Sequence, residues 1–538
     1  MKRFLRTAAL GLLLLLGVAG QRAEASHALG GDLRYESLGS NQYRVYFRNF
    51  RDCSVVAAPT SVTLAARVNG CTTNDPLNRS ISLPLIGPGM LGTQHCASNA
   101  FCTGGVGAGP SNYEENNYAG TVTLPPGLWT LSVEETARPN LANAPGNVGI
   151  RYEATLDNRG GLLNNSPNFG SRPVAYVGWQ LNTVLSMGAF DIDGDSLAFS
   201  LVTPLQGCGQ PITYLSNPAA TPGPLAHNPG CQLLPTASVP PHFSATYPLP
   251  TRLDTSGTCP SRQVAARPFY FNPANGSMSF SAGAYDSVST WAMGRNRYVL
   301  AVKVEEWRRV GGAYRNIGST RREMLFTVVH CRGNVNPHFA PAVRVLNVSG
   351  PVPLSQEIPV RSGTAVSLAL TASDANAGQN LTFSANSLGV PGVRTQQTSP
   401  NTYRMEFTPP ATLPDGLYSI TVKVEDDGCP VKGFEEQTLT FRVHSSPLNS
   451  RSRAELVSTA YPNPFTDQVS FTLARPATPT PVDIVNQLGQ VVDRLPVPAG
   501  AAPEARFVWR PAPGVPAGVY LARFPAGGQT VRLLRLHP

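Results

Sequence analysis

The residues best suited to chemistry are three carboxylates two positions apart, Asp191, Asp193 and Asp195, in the stretch DIDGD. On an extended segment, every second side chain points the same way, so these carboxylates repel one another unless water or a cation separates them. The spacing differs from an EF-hand, because Gly194 falls at loop position four and Val202 at position twelve. We predict a calcium site here, and the alternative is an Asp–Gly turn that binds no metal.

A second stretch, ASDANAGQNLTF, has the same order but keeps only Asp374 and has Asn376 at the next position, which weakens the case for a metal there. Further acidic residues end two later strand-like runs: Glu305, Glu306, Glu425, Asp426 and Asp427. These could complete cation sites, but we expect them to be exposed charges at strand ends.

Signatures of known enzyme sites are absent from the sequence: it has no HExxH, no GxSxG and no P-loop. The glycine-rich stretch GGVGAGP leads into Ser-Asn rather than a helix, so we interpret it as a turn and not as a dinucleotide loop. We expect that the protein is not an enzyme. The alternative is a secreted hydrolase or glycan-binding protein with its site in residues 26–158 or in an insertion at about 205–290.

The composition predicts an all-β protein that does not bind nucleic acid. The net charge of +9 is spread along the chain with no run of five basic residues, whereas a nucleic-acid groove needs a concentrated basic stripe. The 50 glycines and 50 prolines interrupt helices and supply turns, while apolar residues remain frequent enough for a core.

The first 25 residues have the pattern of a signal peptide. Lys2, Arg3 and Arg6 precede the apolar run ALGLLLLLGVAG, and Ala23-Glu24-Ala25 fits the cleavage rule. That run is too short to span a bilayer, and no later run is longer, so we expect export without an integral membrane span.

Nine cysteines behind such a leader predict disulfides. The spacing favours Cys53 with Cys71 and Cys96 with Cys102 as local pairs. Two more bridges could form among the next four cysteines: Cys208, Cys231, Cys259 and Cys331. Cys429 would then be either free or paired across a domain boundary.

Short strand-like runs separated by turn residues predict a series of β-sandwiches. In YRVYFRNF, Tyr43, Val45 and Phe47 share one face, and 26–158 is predicted to be an N-terminal sandwich. The runs YVLAVKVEEW and YSITVKVEDDG have the same period of two, which predicts strands with one buried and one wet face. They belong to two diverged copies of one unit, 159–334 and 335–446, and the first carries the Cys- and Pro-rich insertion at about 205–290.

These two copies resemble cadherin-like and other immunoglobulin-type repeats of bacterial surface proteins. The likeness rests on DIDGDSL, then YVLAVKVE and a closing strand, and covers roughly residues 160–446. It implies tandem immunoglobulin-like sandwiches, with aspartates such as Asp191 holding calcium between domains. The opening SHALGGDLRYESLGSNQYRVYFRNFRDC is similar to the N-termini of large secreted proteins of gliding Gram-negative bacteria.

After a predicted linker at 447–454, residues 455–538 resemble the type A sorting domain of the type IX secretion system. The opening motif is Pro462-Asn463-Pro464-Phe465, followed by VSFTL, in which Val469, Phe471 and Leu473 alternate with polar residues. The later matching positions are Gly518 and Tyr520 in AGVY, and Arg532 and Arg535 in VRLLRL, where the family often has lysine.

The resemblance implies that the type IX outer-membrane machinery and its sortase are partners, and that the cargo is attached to lipopolysaccharide or released. The sequence therefore predicts a secreted or surface-anchored protein with a structural or adhesive role. Surface glycans or proteins are its expected targets, and calcium is the one cofactor we predict.

Overall fold

The structure is a computed structural model that describes residues 28–52, 57–87, 89–91, 113–172, 174–218, 240–251, 253–254, 264–265, 269–289, 293–345, 350–386, 390–429, 431–444, 460–474, 481–486, 489–497, 504–523 and 530–536. The chain forms two compact units, Met1–Pro447 and Leu448–Pro538. Among the described residues, none belongs to a helix long and apolar enough to cross a membrane. The predicted leader (1–25) and linker (447–454) lie outside the described residues.

The first part of the large unit consists of eight strands, some of which are buried on both faces. They are β1 (Ala28–Gly39), β2 (Gln42–Asp52), β3 (Ser61–Val68), β4 (Arg79–Pro84), β5 (Met90–Leu91), β6 (Tyr113–Thr123), β7 (Leu128–Glu135) and β8 (Ile150–Asp157). The predicted shared face of Tyr43, Val45 and Phe47 is confirmed, because all three are buried in one core with Trp129.

The first repeat follows a 3₁₀ turn at Arg159–Gly161. Its strands are β9 (Asn168–Phe169), β10 (Val174–Gly178), β11 (Asn182–Ser186), β12 (Ala189–Phe190), β13 (Ser196–Val202), β14 (Leu205–Gly207), β15 (Gln210–Pro211), β16 (Leu253–Asp254), β17 (Val264–Ala265), β18 (Tyr270–Phe271), β19 (Ser277–Ser281), β20 (Arg297–Val310) and β21 (Ala313–Val329). β20 and β21 form a long antiparallel hairpin, and β10 lies parallel to the end of β21.

Strand β21 joins the first repeat to the N-terminal region. Its hydrogen-bonded partners include β8 through Gly318–Thr320 and β1 through Arg322–Met324, so one twelve-stranded sheet runs across the boundary predicted at 158/159. The face of β20 opposite Tyr298 is covered as well, because Val299 packs with Leu29 and Phe50 of the N-terminal region. The prediction of one wet face for this strand is therefore wrong at its beginning.

The second repeat is a two-sheet sandwich. Its strands are β22 (His338–Phe339), β23 (Ala342–Val345), β24 (Pro351–Pro353), β25 (Ile358–Arg361), β26 (Val366–Ser373), β27 (Thr382–Asn386), β28 (Val393–Ser399), β29 (Thr402–Phe407), β30 (Gly416–Glu425) and β31 (Phe434–His444). One sheet has the order β24-β23-β26-β29-β28, with β22 on β26, and the other has the order β25-β31-β30-β27. Tyr418, Ile420, Val422 and Val424 all point into the core between these sheets. The predicted all-β class is confirmed, and this repeat is a two-sheet sandwich.

The C-terminal unit is a small sandwich with its own core. Its strands are β32 (Val469–Ala474), β33 (Val482–Val485), β34 (Val491–Leu495), β35 (Glu504–Trp509), β36 (Gly518–Arg523) and β37 (Thr530–Arg535). β32 pairs with β35, and the other sheet has the order β34-β33-β36-β37. The alternation in VSFTL is confirmed, since Val469, Phe471 and Leu473 are all buried.

The cysteine pairing differs from the prediction. Cys71 is bonded to Cys208, a separation of 137 residues, so neither the Cys53–Cys71 pair nor a bridge from Cys208 to a later cysteine forms. Cys331 is a free thiol and Cys429 is disulfide-bonded. The physical reason is that folding brings the turn after β3 against the β14–β15 hairpin, a proximity that short sequence spacing does not reveal. Cys53, Cys96, Cys102, Cys231 and Cys259 lie outside the described residues.

The ionisation of Asp157, at the end of β8, should make the stability of the large unit depend on pH. Its hydrogen bonds with Arg159 lower the pKa of Asp157 to about 2, burial opposes this, and Arg315 of β21 lowers it further. The folded pKa lies below the unfolded one, so this stabilisation is complete above about pH 4 and is lost as the pH falls towards 2. We expect Asp157→Asn to cost about 2 kcal/mol at pH 7 and little at pH 2, measured by denaturant unfolding.

Asp286→Asn is the control for this prediction, because Asp286 makes a comparable bond with Arg295 at a more exposed position. Such pairs contribute little, so its unfolding should stay close to that of the unmodified protein. A pH-independent difference between Asp157→Asn and the unmodified protein would contradict the role of the Asp157 charge.

Candidate functional site

The structure brings the three predicted carboxylates together in the loop between β12 and β13. Oxygen atoms of Asp191, Asp193 and Asp195 all lie within 4.8 Å of one another. The backbone N–H groups of Asp193 and Asp195 donate to Asp191 Oδ1 at 2.8 and 3.3 Å, which folds the loop around the first carboxylate. Gly194 has φ +79°, and a Cβ there would lie 2.8 Å from the carbonyl oxygen of Asp415, so the turn requires glycine.

Arg308, on β20, supplies a positive charge to the outer side of this cluster. Its Nε and Nη2 donate to the two oxygens of Asp195 at 2.7 and 2.6 Å, and Nη2 also reaches Asp193 Oδ2 at 3.1 Å. Burial opposes charging, but Asp195 and Asp193 raise the pKa of Arg308 above its usual value. In the sequence, Arg308 belongs to the mixed-charge run EEWRR, and reasoning from that run missed this residue.

Glu306, two residues before Arg308, lies on the inner side and is fully buried. Asn164 Nδ2 donates to both of its carboxylate oxygens at 3.1–3.2 Å, and the Tyr35 hydroxyl donates to Oε2 at 3.4 Å. Burial, together with the neighbouring Asp191 carboxylate, raises the pKa of Glu306 well above its usual value. The expectation that Glu306 is an exposed strand-end charge is wrong, because the N-terminal region covers the end of β20.

The inner side holds two neighbouring carboxyl groups, Asp191 and Glu306, whereas Arg308 neutralises the outer side. Burial, with Asp195 and Asp193 nearby, raises the pKa of Asp191 to about 7. Asp191 Oδ2 is buried, no amide, hydroxyl or guanidinium group among the described residues donates to it, and the side-chain neighbour of Asp191 on this side is the Glu306 carboxyl group. A calcium ion would be held by Asp191, Asp193 and Asp195, would compete with Arg308 for the last two, and would act structurally by neutralising these carboxylates. Calcium binding stays a prediction.

We expect calcium to raise the melting temperature of the large unit relative to EDTA, by several degrees at about one hundred times the dissociation constant. Asp191→Asn should abolish the difference, because it removes a charged ligand from the inner side. Asp374→Asn is the matched control at the corresponding position of the second repeat, and this variant should keep the difference in melting temperature between calcium and EDTA. Equal melting temperatures of the unmodified protein in calcium and in EDTA would contradict the prediction.

The second repeat contains the same polar arrangement without the arginine. Asn334 Nδ2 donates to both oxygens of Asp426 at 3.2 Å, as Asn164 does to Glu306. The backbone N–H of Asn376 donates to Asp374 Oδ1 at 2.7 Å, as that of Asp193 does to Asp191. Gln379 Nε2 donates to Asn334 Oδ1 at 2.8 Å, where the first repeat has Arg308 on Asn164.

These equivalent contacts support the predicted duplication and give one role to two asparagines, Asn164 near the start of the first predicted repeat and Asn334 just before the second. In NNSPNF and NVNPHF, the first asparagine links the start of a repeat to a buried carboxylate at the end of its penultimate long strand. A neutral amide satisfies such a carboxylate without a second buried charge. Asp426 is therefore buried, not an exposed strand-end charge as expected.

In the C-terminal unit, the opening motif and the last strand lie together although about 70 residues separate them. Asn463 Nδ2 donates to the Arg532 carbonyl at 2.8 Å, and the Leu534 N–H donates to Asn463 Oδ1 at 2.7 Å. The Phe465 N–H donates to the Leu534 carbonyl at 2.9 Å, and the Leu536 N–H donates to the Phe465 carbonyl at 2.7 Å. Pro462 and Pro464 flank the asparagine that makes the first two contacts.

The remaining motif residues complete the same small core. Phe465 is buried with its ring centroid 5.6 Å from that of Trp509, which in turn lies 5.0 Å from Tyr520. The Tyr520 hydroxyl donates to the Pro516 carbonyl at 2.6 Å, and Arg535 donates to the Val515 carbonyl. Gly518 begins β36, and the side chain of Arg532 is exposed. The motif residues therefore support one folded surface and form no reactive constellation.

Comparison of the sequence with protein-family models and with curated proteins finds no match. Among solved structures, the chain is similar to an endo-fucoidan hydrolase of glycoside hydrolase family 107, with 14% identity over 68% of this chain and a TM-score of 0.15. It spans 40% of the length of that hydrolase. A chimeric titin tandem matches 52% of this chain and 99% of its own, with 11% identity and a TM-score of 0.16.

Murine CEACAM1b matches 50% of this chain and 96% of its own, with 12% identity and a TM-score of 0.13. At these TM-scores the matches carry no argument about function.

Proposed function

We propose that this chain is a secreted or surface-attached structural or adhesion protein that is exported in two steps. Residues 1–25 direct the first step across the inner membrane. Residues 455–538 form the tag that the type IX outer-membrane machinery recognises, before its sortase removes the tag and the cargo is released or joined to lipopolysaccharide. The proposal needs no catalytic site in the cargo.

The observation that carries the proposal is the assembly of the C-terminal motifs. Asn463 and Phe465 bind the backbone of the last strand, so two residues of the motif that carries the resemblance shape one end of this sandwich. Recognition of a folded shape requires such a rigid surface and no reactive group. The Cys71–Cys208 disulfide adds support, because disulfides persist in oxidising compartments outside the cytoplasm.

The test is deletion of residues 455–538 in a bacterium that has a type IX system. We expect the shortened protein to accumulate in the periplasm, while the full chain reaches the medium or the cell surface. The full chain in a strain that lacks the system is the control and should be retained in the same way. Normal export of the shortened protein would overturn the proposal. Turnover of polysaccharide or peptide substrates by the secreted protein would overturn its non-enzymatic part.

A further inference from the structure

A cleft of about 450 Å³ lies in the large unit where the N-terminal region, the first repeat and the second repeat meet. This volume falls within the range of about 300–1,000 Å³ that small-molecule sites occupy, and junctions between domains are where such sites are common. Neither the aspartate cluster nor the sorting motif contributes to it.

One wall of the cleft is the outer face of the β27-β30-β31 sheet, which is mostly polar. Cross-strand neighbours place Ser384 beside Lys423, and Lys423 beside Glu436. Lys423 Nζ bonds Glu425 Oε2 at 2.5 Å, and the backbone N–H of Ser186 donates to Glu436 Oε2 at 3.1 Å. These contacts fix the directions of the charged groups before any ligand arrives.

The opposite wall comes from the N-terminal region and from the segment after β9. Arg172 pairs with Glu115 at 3.3 Å, and Glu115 is almost fully buried. Arg48 donates to Asp32 Oδ2 at 2.9 Å, and the buried Arg322 donates to the same oxygen at 2.7 Å. Arg322 also donates to the Ser171 carbonyl at 2.8 Å. The wall is therefore anchored to the core of the molecule.

The chemistry of the walls fits a polyhydroxylated, uncharged ligand. Three cationic and three acidic side chains face the cleft, so it offers no net charge to an anion: Arg48, Arg172, Lys423, Glu115, Glu425 and Glu436. Planar carboxylate and guanidinium groups bind vicinal hydroxyls, which both donate and accept hydrogen bonds. Tyr113 and Phe434 add apolar surface between them.

An extended peptide suits this cleft less well. A peptide strand would add to the free edge of β27, but the Gln397 side chain already occupies that edge. Gln397 Nε2 donates to the Leu381 carbonyl at 2.9 Å, and the Phe383 N–H donates to Gln397 Oε1 at 3.4 Å.

We infer that this cleft binds a neutral oligosaccharide. The inference rests on the proposed function only in making a surface glycan the adhesion target, since binding itself does not depend on the export route.

The test uses the purified secreted protein and tetrasaccharides of glucose, N-acetylglucosamine, mannose and galactose, with a sulfated galactan tetrasaccharide and an extended tetrapeptide as competitors. Calorimetric titration should find at least one neutral tetrasaccharide that binds. Ser384→Tyr, which fills the cleft from an exposed position, should abolish binding, and Arg172→Gln should weaken it about tenfold.

Two variants are the matched controls and should bind as the unmodified protein does. Ser399→Tyr makes the same change at an exposed serine of β28 outside the cleft. Arg295→Gln removes an arginine of similar exposure that pairs with Asp286 at 3.1 Å. Melting temperatures of all four variants report on folding.

Three outcomes would overturn the inference: no neutral tetrasaccharide binds, binding persists in Ser384→Tyr, or the sulfated sugar or the peptide binds more tightly. Export of the same variants is measured in parallel. Normal export without sugar binding refutes only the inference that the cleft binds an oligosaccharide. Normal export of the chain that lacks residues 455–538 refutes only the sorting proposal.

Discussion

Arg322→Met is expected to lower the melting temperature of the large unit by on the order of 3–6 °C, measured by scanning calorimetry. Removing one partner of a buried ion pair costs up to about 3–5 kcal/mol, and here the buried Asp32 charge would keep only its bond to the partly exposed Arg48. Arg322 is fully buried and its Nε and Nη2 donate to Asp32 Oδ2 at 3.0 and 2.7 Å.

The position of Arg322 explains why its loss should be felt widely. It lies on β21 where that strand pairs with β1, so its bond to Asp32 joins two regions of sequence 290 residues apart. Its guanidinium also lies 4.1 Å from the ring centroid of Phe169 and binds Ser171. Burial would raise the pKa of Asp32, but Arg48 and Arg322 together hold that pKa below its usual value.

The matched control is Arg442→Met, which breaks a bond of 2.6 Å to Glu357 between two side chains that are both about half exposed. Exposed pairs contribute about 0–1 kcal/mol, so this variant should melt close to the unmodified protein. If Arg322→Met also melted close to the unmodified protein, the buried pair would contribute no more to stability than a surface pair. The assignment of Arg322 as the link between the two regions would then be wrong.

Much of the fold could be predicted from local patterns. The period of two in Tyr418, Ile420, Val422 and Val424 correctly gives a strand with a buried face, because the pleat alone determines which side chains share a side. The same rule failed at Val299, whose burial depends on a sheet contributed by another region. Periodicity describes one strand and carries no information on what later covers its second face.

At the candidate sites, too, local contacts could be predicted from the sequence and long-range contacts could not. The spacing of Asp191, Asp193 and Asp195 is enough to predict that they converge, since five consecutive residues determine it. Arg308 and Asn164 could not be found in this way, because Arg308 binds Asp195 from 113 residues away and Asn164 binds Arg308 and Glu306 from 144 and 142 residues away. The Cys71–Cys208 pair was missed for the same reason, as its ends belong to regions whose docking is a property of the whole sheet.

Phe465→Ala is expected to reduce export of the full chain at least tenfold, measured as protein in the medium and on cells relative to the periplasm. Replacing a buried phenylalanine by alanine costs about 3–5 kcal/mol. A core of this size supplies little more than about 3–5 kcal/mol in total, so most of the C-terminal units should be unfolded. Proteolysis of the full chain should cut within 460–536 more readily than in the unmodified protein.

Tyr461→Ala is the matched control, since this neighbouring aromatic residue is 80% exposed and its loss leaves the core intact. The comparison separates two ways in which the machinery could recognise the tag. Phe465→Ala leaves Pro462, Asn463 and Pro464 unchanged, so a receptor that reads the first three motif residues as a linear peptide would still export the variant. A receptor that reads the surface formed by Asn463 and the last strand would not, because that surface exists only while Phe465 is packed against Trp509. Normal export of a proteolytically labile Phe465→Ala variant would therefore reject recognition by shape.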